Sequence, residues 1–332
     1  MLSIEETRAL SQVHPEFAPI LAEGGPMVGG WTLDTDIHAI RDVIAQMRAT
    51  QFRVDPASRP HTEEDVKIPA RDGTAIRARI YKPRSAPGDG CPGMVAYHGG
   101  GFVVGDFETE RWLCEMFTQM GGIAVNVDYR MAPEHVFPAA VEDSLDAAKW
   151  TAQNAASLGI NPKKGLLVAG ESAGADLALV VSHLYRDTNI SPPLTGVYAA
   201  IPSAVNDETI PAKYKDRFIS MTQNADSPIV SRESLKLIHK LYKPDPTSPL
   251  AYPLASPTHS GLPKTYFQAC GLDVLRDCAL VLEQAYRDSG VPTKIDVYPG
   301  LPHGFWAVYS DLKVTQQHTE DTREALKWLL AE

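Results

Sequence analysis

Residues 165–181 read GLLVAGESAGADLALVV, and this stretch holds a residue that could do acyl-transfer chemistry. An apolar run meets Gly170-Glu171-Ser172-Ala173-Gly174, and Ala173, Leu177, Val180 and Leu184 then recur at helical spacing. A serine between glycines at a strand-to-helix corner can hold its hydroxyl clear of the backbone. The helix N-terminus beside it favours developing negative charge. G-x-S-x-G alone arises by chance in roughly one chain in ten of this length. An inert glycine turn is therefore the competing reading, and the apolar runs on either side argue against it.

A serine hydroxyl is a weak nucleophile until a base takes its proton, and the base needs an orienting carboxylate. Ten histidines compete for the first role. His303, in YPGLPHGFW, follows the last expected strand and precedes the last helix, which places it on a loop at the carboxyl edge of a sheet. His98 also ends a strand but opens a glycine run; the others fall in helices or polar connections. For the carboxylate, QACGLDVLRD offers Asp273 and Asp277, of which Asp273 is nearer the strand end. Asp277 can instead complement the next helix dipole. The run His98-Gly99-Gly100-Gly101-Phe102 lacks the GK[ST] of a phosphate loop. It reads better as a source of backbone N–H groups, from Gly100 and Gly101 with Ala173, for a tetrahedral oxyanion.

These residues need a scaffold that brings distant segments to one edge. EEDVKIPARDGTAIRARIYKP reads as two alternating strands about Asp72-Gly73. GMVAY, GIAVNVDY, GLLVA, TGVYAAI, KTYFQAC and TKIDVYP read as buried strands, alternating with helices near 107–120, 138–157, 173–187, 275–289 and 315–331. This is an α/β pattern: a mostly parallel eight-stranded sheet with helices on both faces. Ile37, Ile40, Ile44 and Met47 mark one face of an earlier helix that Asp34 could cap. Between Ile201 and Leu262 about sixty residues hold no convincing central strand, which suggests an inserted subdomain. The expected organisation is an N-terminal helical cap segment over 1–55 and a catalytic domain over 56–332, with a cap insertion at about 203–260.

Composition narrows the classes. With 44% hydrophobic and 22% charged residues the chain is globular, and a net charge of −10 gives no basic footprint for nucleic acid or anionic membrane. No apolar run is long enough to span a bilayer. Four cysteines without a CxxC pair read as reduced core thiols, and cytoplasmic residence is expected. No HExxH or Cys/His cluster calls for a metal, and no cofactor is expected.

Taken together, HGGGF at 98–102, DYRMAPEHVFPAAVEDS at 128–144, GESAGAD at 170–176, GLDVLRD at 271–277 and LPHGF at 301–305 resemble the hormone-sensitive-lipase-like carboxylesterases of the α/β-hydrolases. The resemblance spans residues 63 to 332. It implies Ser172 as nucleophile, His303 as base, Asp273 as orienting acid, and Gly99, Gly100, Gly101 and Ala173 around the oxyanion, in the chain order of such triads. It also implies hydrolysis of short to medium acyl esters, a helical cap, and admits a homodimer. Tyr129, Arg130, Pro133, Glu134 and Asp143 match a structural signature of that family. Two departures stand out: Glu171 where Asp is commoner, and Ala175-Asp176 where Gly-Asn is usual. Met27, Val28, Trp31, Phe102, Phe107, Phe218 and Met221 are candidates for the pocket lining. A lactone, an acetylated secondary metabolite or an aryl formamide would pass through the same oxyanion. A non-catalytic ligand receptor on this fold would lack the histidine that stands here at 303.

Overall fold

The structure is a computed structural model that describes residues 2–24, 30–51, 58–206, 208 and 210–331. Its frame is one eight-stranded sheet in the order β1-β2-β4-β3-β5-β6-β7-β8. The strands are β1 (His61–Pro69), β2 (Ala75–Pro83), β3 (Gly93–Tyr97), β4 (Ile123–Asp128), β5 (Leu166–Glu171), β6 (Gly196–Ala200), β7 (Lys264–Cys270) and β8 (Thr293–Tyr298). β1 and β2 pair antiparallel, as does β2 with β4; all other pairings are parallel. Every residue of β3, β5 and β6 is buried. The reason lies in their period of two: Val95 and Tyr97 enter one core while Met94 and Ala96 enter the other, so both faces must be apolar.

The helices in chain order are α1 (Ile4–Ala9), α2 (Ala18–Ala22), α3 (Ile37–Gln51), α4 (Arg111–Gln119), α5 (Ala139–Gln153), α6 (Ala155–Leu158), α7 (Ala173–Asp187), α8 (Ala212–Lys215), α9 (Ser220–Gln223), α10 (Arg232–Tyr242), α11 (Arg276–Asp288), α12 (Phe305–Val308) and α13 (Lys313–Leu330). α5, α7 and α11 contribute to one core, and α4 and α13 to the other. The expected 138–157 helix is two pieces, broken at Asn154, while 173–187 runs as expected.

Two stretches leave this frame. Between β6 and β7 the chain runs through α8, α9 and α10, with no strand among the described residues. α10 starts where Ser231 accepts from Ser234 N, a side-chain cap for an unsatisfied amide. The N-terminal residues pack against the loops after β7 and β8. The Gly300 amide donates to Leu10 O at 2.7 Å, His14 N donates to Gly300 O at 3.1 Å, and Ser11 Oγ donates to Asn224 Oδ1 at 2.8 Å. Asp36, not Asp34, caps α3, its Oδ1 accepting from His38 N at 2.9 Å. Asp34 lies two residues too early to reach those amides. Along α3, Ile37 is buried and Ile40 and Ile44 pack on the core, but Met47 is 55% exposed. At that turn it is Arg48 that faces the body, donating to Thr109 Oγ1 at 2.9 Å. Among the described residues, no helix is long and apolar enough to cross a membrane.

Candidate active site

The chain order of the strands reverses around β3: its successor β4 lies on one side and β5 on the other. At such a switch point the loops leaving the two strands diverge and open a crevice at their carboxyl ends. The loops here are His98–Phe102 after β3 and Ser172 after β5. Ser172 has φ 51° and ψ −119°, a conformation that non-glycine residues rarely adopt, and its amide donates to Ala200 O at 2.9 Å. The turn is that tight because α7 starts against β3. A Cβ on Gly174 would stand 1.9 Å from Tyr97 O, so only glycine fits.

Loops from β7 and β8 bring the other side chains. His303 Nε2 lies 3.0 Å from Ser172 Oγ, and His303 Nδ1 lies 2.7 Å from Asp273 Oδ2. Asp273 is fully buried, and its Oδ1 accepts from Leu275 N at 2.9 Å. Asn224, in the excursion, donates from Nδ2 to Asp273 O at 2.8 Å and to Gly271 O at 3.1 Å, tying the acid loop in place. Asp277 faces elsewhere: it accepts from Ile219 N and Ser220 N, both at 2.7 Å, and pairs with the buried Arg276. It anchors α9, which no sequence signal announced. Nor did any signal announce Asn224.

The glycine run is shaped as strongly. Gly100 has φ 117°, and a Cβ there would fall 2.1 Å from Val104 O. Its carbonyl accepts from Val103 N and Val104 N at 3.1 and 3.0 Å, which curls the loop back. Gly99, Gly100, Gly101 and Ala173 all line the same cavity as Ser172 and His303. Among the described residues, the amides of Gly100, Gly101 and Ala173 donate to no protein acceptor, whereas the Gly99 amide lies against the buried Glu110 carboxyl. His98 is a support: its ring stacks on Tyr129 at 4.2 Å and its Nδ1 is 2.8 Å from Gly99 O. Burial pulls its pKa down to about 4, so it is neutral at ordinary pH. The signature stretch lies beneath these loops, with Tyr129 Oη donating to His98 O and Arg130 gripping Asp143 at 2.6 Å.

The cavity above these groups encloses about 320 Å³. Trp31 and Phe102 line it, as the sequence suggested, and Phe102 stacks on Tyr242 at 4.0 Å. Phe107, Phe218 and Met221 do not. Phe107 points the other way, beneath the guanidinium groups of Arg77 and Arg79 at 5.1 and 4.7 Å from its ring centre. Phe218 and Met221 flank the backbone that Asp277 holds against α11, which keeps them beside the body and not over the crevice. The apolar wall comes instead from α10, through Leu235, Ile238 and Tyr242. Met27 and Val28 lie outside the described residues.

Three carboxyls near the nucleophile lack a cationic partner among the described residues. Burial pushes Glu171 up to about 8, against the hydrogen bond it accepts from Trp306 Nε1 at 2.9 Å. Glu110, fully buried, is pushed well up by burial and then by the Glu171 charge. Asp176 is pushed up to about 8 by burial, against donors from the Ser203 hydroxyl and amide, the latter at 2.8 Å.

Comparison with known proteins bears on the same residues. Residues 94–307 match the family described as alpha/beta hydrolase fold. The chain is 35% identical over 301 residues to a versiconal hemiacetal acetate esterase of Dothistroma septosporum, covering 89% of this chain and 90% of that one. It is 32% identical over 270 residues to the carboxylesterase NlhH of Mycobacterium tuberculosis, covering 79% and 81%. Among solved structures, a vibralactone cyclase superposes with a TM-score of 0.87 at 32% identity over 97% of this chain and 96% of that one. An esterase of Pyrobaculum calidifontis superposes at 0.82 and 32%, over 96% and 99%. The chain belongs to the hormone-sensitive-lipase-like carboxylesterases of the α/β-hydrolase fold, and it is an ester-hydrolysing enzyme.

Proposed function

We propose that this esterase cleaves short to medium acyl esters through Ser172, His303 and Asp273 by way of an acyl-enzyme. The observation that carries the reading is His303 bridging 3.0 Å to Ser172 Oγ on one side and 2.7 Å to Asp273 on the other. Ser172 Oγ attacks the acyl carbonyl as its proton passes to His303 Nε2. Asp273, at Nδ1, fixes the tautomer and stabilises the imidazolium. The tetrahedral oxyanion is held by the amides of Gly100, Gly101 and Ala173, while Gly99 shapes the loop. His303 then gives its proton to the departing alkoxide, releasing the alcohol. Water repeats the sequence on the acyl-enzyme, returning the acid and free Ser172.

Residues 1–55 and the insertion at about 203–260 act as a cap on a catalytic domain of 56–332. The preference for small acyl groups draws support from the relative named for an acetate ester. A lactone is the second reading, favoured by the likeness to a protein named for a lactone, because an internal ester forms the same oxyanion. Four buried, unbridged cysteines support residence in the reducing cytoplasm. β8, which ends the sheet, offers an edge through which two copies could pair. The test is a series of p-nitrophenyl esters of increasing acyl length with a lactone added, run beside fluorophosphonate labelling. Turnover greatest on the shorter chains and label on Ser172 are expected; label elsewhere, or none, overturns the assignment.

A further inference from the structure

Asp176 is one helical turn past Ser172, its amide donating to Ser172 O at 3.2 Å, and it lines the same cavity as Ser172 and His303. It is 3% exposed, and among the described residues its oxygens accept from Ser203 alone, through amide and hydroxyl. An ionised carboxylate offers about four acceptor positions, so two donors leave it under-served. No Lys or Arg is among the described residues that line the cavity. The titratable groups on which the Asp176 charge acts are Tyr129, Tyr242 of α10, Tyr252 and Cys278 of α11, and burial raises the pKa of each, so all stay neutral in the ordinary pH range. His303, His239 and Glu171 share the cavity, and the Glu171 carboxyl is engaged by Trp306. Burial favours the protonated form of Asp176, as described above. Among the described residues no cation stands opposite Asp176, and the cavity it lines gives a charge carried by the substrate a route to it.

We propose that Asp176 is a specificity-determining residue whose ionised carboxylate favours esters bearing a fixed positive charge, quaternary ammonium esters, over neutral isosteres. The inference rests on the esterase reading above. A cation entering an apolar cavity loses its hydration and needs a fixed counter-charge. Asp176 supplies that charge only once it is ionised, so charge preference grows with pH.

The experiment measures kcat/KM ratios for two matched pairs. One is acetylthiocholine against the thioacetate in which carbon replaces the ammonium nitrogen. The other is the p-nitrophenyl ester of trimethylammonio-butanoate against its carbon isostere, which places the charge on the acyl side. In the wild-type enzyme the charged-to-neutral ratio should rise on the order of tenfold in at least one pair between about pH 6.5 and about pH 9.5. In Asp176→Asn, whose amide keeps partners for Ser203 but cannot ionise, both ratios should rise far less, any remainder belonging to Glu171 of the same cavity. Flat ratios in the wild type, or a rise of the same size in the variant, overturn the inference. If the neutral isosteres are hydrolysed with a flat ratio, the esterase reading stands and only this inference falls. If no ester is hydrolysed at all, both fall.

Discussion

The rim of the crevice and its roof are built in different ways. At the rim, Ser172, Asp273 and His303 each sit just past a strand of one sheet, β5, β7 and β8, whose register is locked by continuous parallel pairing. A shift of one residue in any of these strands would turn its side chains to the wrong core. The roof has no such register. It is assembled from Trp31, Ile44 of α3, and α10, tied down by scattered contacts such as Arg41 to Val103 O at 2.7 Å and Phe137 N to Tyr242 O at 2.9 Å. The chemistry is thus held by the registered sheet, and the fit of the acyl chain is left to the roof.

If that division holds, changes at the rim cost turnover and changes in the roof redistribute it among substrates. Ser172→Ala should lower kcat by roughly 10⁴–10⁶-fold, and Asp273→Asn by roughly 10⁴-fold, with far-ultraviolet circular dichroism unaltered. Single-turnover kinetics on a p-nitrophenyl ester measure both. Activity within tenfold of wild type in Ser172→Ala would dissolve the distinction at its root. A smaller loss follows from Gly100→Ala. The added Cβ meets Val104 O at 2.1 Å, so the loop must move and take at least one oxyanion donor with it. The expected loss is about 10²–10³ in kcat with little change in KM. An effect confined to KM would mean the loop binds substrate without contacting the developing charge.

The roof should answer differently. Ile238, on α10, faces the cavity and is 9% exposed. Ile238→Ala opens space in the apolar wall of the cavity. Its expected signature is a change in the ratio of kcat/KM between long and short acyl esters of about tenfold, in favour of the longer. An equal drop for every chain length would place Ile238 in the rim's support and not in the roof.

The same division explains what could be read from the sequence. The inner strands β3, β5, β6 and β7 are buried on both faces nearly throughout, so GMVAY and KTYFQAC announce themselves as strands to the residue, and whatever follows them falls at the carboxyl edge. That is enough to bring Ser172, Asp273 and His303 to one place. The glycines of 99–101 carry their own signal, because nothing else tolerates the φ of Gly100. The roof carries no period that says which way it faces. Phe218 and Met221 were therefore misplaced. The bond that decides their position, from Asp277 to the backbone of Ile219 and Ser220, joins residues 57 and 58 positions apart. Phe107 was misplaced by a rival attraction, the arginines of β2. Asp176 stood in plain view as a departure from the family pattern, yet its meaning depends on Ser203, which only the folded chain puts beside it.

The smallest expected effect lies beneath the rim and is read in stability. Glu171 is held near 8 in the folded protein against about 4.3 in an unfolded chain. Between those values the folded state keeps a proton that the unfolded state has released, so stability falls as pH rises through the window. The buried His98, His183 and His259, all held down to about 4, act in the opposite sense, but only between about 4 and about 6.5. Above that, Glu171, Asp176 and Glu110 are left to set the slope. Urea unfolding between about pH 6.5 and about pH 8 should therefore show stability declining, each carboxyl contributing up to about 1.4 kcal/mol per pH unit. Glu171→Gln keeps an acceptor for Trp306 Nε1 and removes one titrating group, so the decline should become shallower by about one proton's share. An unchanged slope would mean that Glu171 binds protons alike in both states. The rim would then rest on an ion that the fold has already accommodated, and not on a carboxylic acid kept neutral by burial.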